Sequence, residues 1–230
     1  MSTLFLPSCK IRRFCGPASK QLEAYVNERL AVQTLGCCKA FCGSQQAKTC
    51  EGDSALVVCN NCATFVEESS VVSEVRFVWE LIDADPAFAF PDYHGQHMAV
   101  QDCWRAYEKR DVQEAVRSLM RKMNIEVVEL PEHHEHTRFC GLDLLEPCSA
   151  LEKRFAPQRY VVEGAGMYTP LPEDEQLERL RAHCAGIDAE TVVCYCFSCL
   201  EGIKLGGKNA VHLIDLLFPS DWDWEGASDE

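Results

Sequence analysis

Fifteen of the 230 residues are cysteine, and ten of them recur in an order that chemistry could use. Cys9 is followed by the adjacent pair Cys37-Cys38 and then by Cys59-x-x-Cys62; further on come Cys103, Cys140 and the run Cys194-x-Cys196-x-x-Cys199. An odd number of thiols cannot all pair within one chain, and disulfide scaffolds belong mainly to exported proteins, so metal or redox chemistry accounts for these residues better. Thiolates are soft anions that repel one another unless a cation sits among them, and zinc or an iron–sulfur cluster meets that need. The other five, Cys15, Cys42, Cys50, Cys148 and Cys184, share no recurring spacing and are expected to be small buried hydrophobes.

The first set, Cys9, Cys37, Cys38, Cys59 and Cys62, has one member more than a tetrahedral zinc site or an ordinary cubane cluster uses. Neighbouring side chains such as Cys37 and Cys38 diverge, so they bind one small ion poorly but reach different irons of a larger cluster. An iron–sulfur cluster is therefore expected at this set ahead of structural zinc. His133-His134-Glu135-His136 reads as a solvated loop, since adjacent histidines in a loop rarely share one ion. His212 reads as a hydrogen-bonded structural histidine within an apolar helix.

Cysteines this far apart in sequence converge only if separate strands deliver them to one sheet edge, as a parallel sheet does. The apolar pattern supplies such strands, alternating with helices in the manner of an α/β fold. Residues 4–6 form a short strand before Cys9, and 18–30 a helix with Leu22, Val26 and Leu30 on one face. Residues 32–35 are extended and stop before Cys37, while 55–58 run into Cys59 and 63–68 are helical. Residues 75–82 make an amphipathic stretch, and Asp85-Pro86 to Phe90-Pro91 breaks the pattern, which divides the chain into domains 1–92 and 93–230. In the second domain 98–101 lead to Cys103, 111–123 and 175–184 are helical, 125–128 lead toward Cys140, and 191–193 run into Cys194.

Cys9 corresponds to Cys103, Cys38 to Cys140 or a close neighbour, and Cys59-x-x-Cys62 to Cys196-x-x-Cys199. Val78 stands 16 residues after the first pair and Leu213 stands 14 after the second, each opening a similar apolar segment. Two similar Rossmann-like halves with mainly parallel sheets, related by internal duplication, are expected.

A formal charge of −14 argues against a nucleic-acid surface, which needs a basic patch. No segment approaches the ~20 apolar residues of a membrane span, and Leu4-Phe5-Leu6 is too short for a secretory signal, so a reducing cytoplasmic setting is expected. The acidic end with Trp222 and Trp224 reads as a frayed terminus. Phosphate-binding glycine loops and the Gly-x-Ser-x-Gly and His-Glu-x-x-His motifs are missing, so a flavin or nicotinamide would reside on a partner.

The order Cys, Cys-Cys, Cys-x-x-Cys, met twice, resembles the cysteine-rich CCG-domain family, whose members include the disulfide-reducing component of heterodisulfide reductase and related lactate- and glycolate-oxidising and succinate-dehydrogenase-associated proteins. The likeness spans nearly the whole chain and is strongest over 192–218, where strand, Cys-x-x-Cys, short helix and Ala210-Val211-His212-Leu213-Ile214-Asp215-Leu216-Leu217 follow the family's ending. It implies a noncubane 4Fe-4S cluster on Cys9, Cys37, Cys38, Cys59 and Cys62, a second on Cys103, Cys140, Cys196 and Cys199, and homolytic reduction of a disulfide substrate. The sequence departs from the family pattern in three ways: Lys39 replaces the glycine after the first pair, Phe139 replaces the first cysteine of the second pair, and 55 residues separate Cys140 from Cys196. The second site is left with a four-ligand cluster, zinc, Cys194 as a replacement ligand, or no metal.

The resulting expectation is a redox protein that takes electrons from a flavoprotein, ferredoxin or partner subunit and passes them to a disulfide, thiol or other small acceptor. The alternative is a non-catalytic scaffold or redox sensor stabilised by zinc or a cluster. A thioredoxin-like enzyme built on Cys59-Asn60-Asn61-Cys62 accounts for one pair and leaves the upstream cysteines unexplained.

Overall fold

A computed structural model describes residues 2–219; the tryptophan-bearing acidic end lies outside the described residues. The first series of elements is β1 (Thr3–Leu6), α1 (Cys9–Phe14), α2 (Gly16–Arg29), β2 (Val32–Thr34), α3 (Cys38–Cys42), β3 (Ser54–Val57), α4 (Asn60–Ser69), β4 (Glu74–Phe77) and α5 (Val78–Asp83). The second is β5 (Gln96–Gln101), α6 (Arg110–Lys122), β6 (Ile125–Glu129), α7 (Ala150–Phe155), α8 (Glu173–Ala185), β7 (Thr191–Cys194), α9 (Phe197–Leu205), β8 (Asn209–His212) and α10 (Leu213–Leu217). The strands form two four-stranded sheets, ordered β2-β1-β3-β4 and β6-β5-β7-β8, and every pairing is parallel. The fold is α/β with two similar halves of the same topology.

Central strands of a parallel sheet are covered by helices on both faces, so they need continuous apolar runs where a half-exposed strand would alternate. Leu4, Phe5 and Leu6 of β1, Ala55 to Val57 of β3, Met98 to Val100 of β5, and Val192 and Val193 of β7 are buried accordingly. Edge strands are less regular: in β2, Val32 is half-buried and Gln33 and Thr34 are exposed. The amphipathic stretch expected over 75–82 is in fact two elements, because Glu74–Phe77 pairs with β3 and the helix begins only at Val78. The second half repeats this, since Asn209–His212 pairs with β7 before α10 begins. His212 is thus the last residue of a strand and the N-cap of α10, not a residue within a helix. Its Nδ1 accepts the Ile214 N–H at 3.2 Å, and burial pushes its pKa down to about 4, which keeps the ring neutral.

Each sheet lies on one side of residue 92, yet the compact units exchange two segments. The chain up to Val78 groups with Pro147–Tyr168, and Trp79–Glu146 groups with the chain from Thr169 on. In the first unit, Phe155 and Tyr160 pack on Phe65 of α4 with ring centroids 5.5 and 6.0 Å away. The Glu68 carboxylate accepts the backbone N–H groups of Gln158 and Arg159 at 2.7 and 2.8 Å. Part of the 55-residue gap between Cys140 and Cys196 is therefore a cover for α4. No helix among the described residues is long and apolar enough to cross a membrane.

Candidate metal centres

In each sheet the chain reverses its direction of travel between the two central strands, and in open α/β sheets the crevice beyond the strand ends at that point is where ligands bind. Cys9 follows β1 and Cys59 follows β3; Cys103 follows β5 and Cys196 follows β7. All nine recurring cysteines other than Cys194 stand at the start of a helical turn. Cys37, Cys59, Cys103, Cys140 and Cys196 are N-caps, Cys9 and Cys38 are first helical residues, and Cys62 and Cys199 are third. The Cys-x-x-Cys spacing follows from this, since N-cap and third-residue side chains meet on one side of a first turn. Unpaired N–H groups and the positive end of the helix dipole favour thiolates there.

The tightest group is in the second unit. The Sγ atoms of Cys103, Cys140, Cys196 and Cys199 all lie within 4.8 Å of one another and all four residues are buried, which makes a site able to hold a metal ion or cluster. Cys140 Sγ stands 3.5 Å from Cys103 Sγ and 4.0 Å from Cys196 Sγ. The Trp104 N–H bonds the Phe139 carbonyl at 3.1 Å, and Thr137 Oγ1 donates to the Asp102 carbonyl at 3.0 Å, which brings Cys140 beside Cys103. Gly141 has φ +57 and lies against α9, so the loop can follow Cys140 without a side chain in the way. Hydrogen bonds from Cys103, Cys140 and Cys199 hold the Cys196 thiol well below its usual range, while burial pushes Cys140 and Cys199 well above it. A cation entering such a group displaces the thiol protons that remain. Arg105, buried two residues beyond Cys103, donates to Cys140 Sγ at 3.1 Å and to Asp143 Oδ2 at 2.7 Å.

The first set also converges, but loosely. Cys62 shares hydrogen bonds with Cys38 and Cys59; the first of these lowers Cys38 and raises Cys62. Burial raises Cys9, and the nearby Cys37, Cys38 and Cys59 add to that. Cys38 and Cys62 are buried, Cys37 and Cys59 half-buried and Cys9 exposed. Among the described residues this set forms no group with all its sulfurs inside 4.8 Å. Lys39, in the place of the expected glycine, is an ordinary residue of α3, so the helical course after Cys38 needs no glycine. The Tyr160 hydroxyl donates to Asn61 Oδ1 at 2.5 Å within the Cys59-x-x-Cys62 turn. Tyr160→Phe is expected to lower the stability of the first unit by about 1 kcal/mol, read as a lower urea midpoint.

The remaining residues fall outside these two sets. Cys194 is buried at the end of β7 and is not among the four clustered sulfurs. The Phe139 ring stacks on His183 at 4.0 Å, and His183 Nε2 is hydrogen-bonded to Gln101 Oε1 at 2.7 Å. Cys15, Cys42, Cys50 and Cys184 are buried as expected, and burial pushes Cys42 up to about 12. Cys148 departs from that expectation: it is half-exposed, within the segment that covers α4. The histidine run is likewise not wholly solvated, since His134 is buried and its N–H donates to Asp102 Oδ2 at 2.7 Å. Glu129, His133 and His134 form a second compact group. Arg117 holds both Glu129 oxygens at 2.7 Å, however, and its charge opposes a cation there.

Arg105 is the neighbour of the four sulfurs that spacing did not reveal. Its signal was a charged residue two places beyond a ligand cysteine where the other half has Ile11. No protein-family model, curated protein or solved structure matches this chain.

Proposed function

We propose that the chain is a metal-dependent redox protein in which the open five-cysteine set of the first unit is the reactive centre and the sealed four-cysteine set of the second holds one tetrahedral ion. The contrast between the two sets carries this reading. Four thiolates bound to one zinc at about 2.3 Å in a tetrahedron have sulfurs about 3.8 Å apart. The second set offers 3.5 and 4.0 Å on two edges, with every sulfur inside 4.8 Å. A cubane cluster seats each thiolate on a different iron and spreads the sulfurs farther, which counts against it at that set. Structural zinc sites are closed and reactive ones keep an open position, so complete burial favours zinc in a structural role.

The first set has the opposite character. Five donors, wider spacing and an exposed Cys9 suit a polynuclear cluster that an acceptor can approach, and the resemblance to the CCG domain points to a noncubane 4Fe-4S cluster there. Bound at this set, the cluster supplies one-electron transfer to or from a disulfide, thiol or other small acceptor. Cys38 and Cys62 anchor its buried side, and Cys9 stands at the open rim. The charge of −14 suits an electron-donating flavoprotein, ferredoxin or partner subunit with a basic face.

Iron, zinc and acid-labile sulfide measured on protein purified without oxygen test the assignment. The expected result is about four irons with sulfide and about one zinc per chain. Cys9→Ser should lose iron and keep zinc, and Cys140→Ser should do the reverse. About eight irons would place clusters at both sets. Zinc without sulfide would sink the redox reading and leave a zinc-stabilised scaffold.

A further inference from the structure

We infer that Arg105 is a positioning residue of the second centre, a buried cation that hydrogen-bonds the Cys140 sulfur and offsets the negative charge of a four-thiolate metal site. The inference rests on the single-ion reading of that centre. Four thiolates around a divalent ion leave two negative charges in a sealed space, and burying such charge unpaired is costly. Arg105 is the cation placed to relieve it. Only 3% of its surface is exposed, and Nη1 lies 3.1 Å from Cys140 Sγ, within reach of a charge-assisted hydrogen bond. Nη1 also bonds Asp143 Oδ2 at 2.7 Å, and the Asp143 side chain is 32% exposed. Asp143 thereby fixes the guanidinium while its own charge is partly dispersed in water.

The two halves supply an internal comparison. Two residues beyond Cys9 stands Ile11, which is also buried, in the first helical turn after the corresponding strand. That turn therefore packs around an aliphatic side chain, and a buried arginine is not something the fold requires. A desolvated guanidinium is unfavourable unless a partner repays the cost. In the second unit its partners include the Asp143 carboxylate and, at 3.1 Å, a sulfur of the metal group. Groups that hydrogen-bond a metal ligand orient it and tune its donor strength, and their removal typically weakens metal binding by about 10–100-fold.

The test uses the full chain in a Cys9→Ser, Cys59→Ser background, which removes two of the three least buried cysteines of the first set; serine is a favourable N-cap at position 59. Metal-free protein is titrated with Co2+ alone, followed by its thiolate-to-cobalt charge-transfer absorption, and Zn2+ affinity is then read by competition. Arg105→Met should weaken both ions by about 10–100-fold and move the charge-transfer band to lower energy, because the Cys140 thiolate loses its hydrogen bond. A purely structural role would not move the band. Asp143→Asn, at a partly exposed position, should tighten binding by freeing the full charge of Arg105. Unchanged affinity and an unchanged band in Arg105→Met overturn the inference and leave the single-ion reading standing; weaker binding in Asp143→Asn also overturns it. A parent protein without a four-thiolate cobalt spectrum sinks the single-ion reading and this inference with it.

Discussion

Alanine at Gly141 should abolish metal binding by the second unit and cost more than about 4 kcal/mol, well beyond the usual range for one substitution. Two separate penalties meet there. With φ +57, Gly141 is in the left-handed region, where a side chain costs roughly 1–2 kcal/mol. The added Cβ would also stand 2.0 Å from the Ser198 carbonyl oxygen and 3.2 Å from the Gly202 backbone nitrogen, so α9 would have to move. Ser198 precedes Cys199, and Cys196 caps the same helix, so any retreat of α9 pulls two ligands from the other two. Gly202→Ala separates the penalties. It lies within α9, where alanine should stabilise by about 1 kcal/mol, yet its Cβ would meet Gly141 Cα at 2.4 Å. Destabilisation by Gly202→Ala can thus come only from the close approach. Zinc content after reconstitution with Zn2+, together with urea unfolding, checks both variants. Retention of zinc by both would show that α9 can shift without disturbing its cysteines.

The frame of this architecture was legible because buried parallel strands announce themselves as short apolar runs. Residues 4–6, 55–58, 98–101 and 191–193 all became central strands, and the cysteines after them were delivered to the strand ends. The fourth strand of each sheet was not legible. Glu74–Phe77 and Asn209–His212 are four residues each and run straight into a helix, so neither period has room to appear. The gap after Cys140 looked like a defect of the second motif, but Pro147–Tyr168 groups with the first unit, a long-range placement that no local pattern encodes. The relative quality of the two sets was also hidden. Counting ligands favours five cysteines over four, whereas closure depends on Gly141, on the stacking of Phe139 with His183 and on the polar contacts behind Cys103. Spacing picked out cysteines that stand together; burial and approach distances come from residues far away in sequence.

Replacing Arg117 with methionine should cost about 3–5 kcal/mol, the penalty for stranding a buried charge. Arg117 is buried on α6; its Nη1 and Nη2 donate to Asp102 at 3.1 and 2.7 Å, and its Nε and Nη2 to Glu129 at 2.7 Å each. The Tyr195 hydroxyl and the His134 N–H complete the shell around Asp102, at 2.8 and 2.7 Å. One carboxylate thus ties together the ends of β5, β6 and β7, the strands that lead toward Cys103, Cys140 and Cys196. In the first half Ser8 precedes Cys9, where Asp102 precedes Cys103, and the first set is the looser one. The pH dependence separates this network from simple packing. Burial alone would raise the Asp102 pKa, but the bonds and charge of Arg117, with His134 and Tyr195, outweigh it and hold the carboxyl below its ordinary value; Arg117 does the same for Glu129. A depressed carboxyl stabilises the fold above its unfolded pKa of about 4, and that contribution is lost as pH falls through the folded value. In Arg117→Met burial dominates and Asp102 moves upward, so its stabilisation is present at low pH and lost as pH rises. The stability gap between parent and variant should therefore be widest near neutrality and narrow steadily toward about pH 4. Asp102→Asn added to Arg117→Met should recover part of the loss, since no charge is then stranded. A gap independent of pH, with no recovery in the double variant, would mean that Arg117 acts through its bulk, and the closure of the second centre would then owe nothing to the buried ion pair.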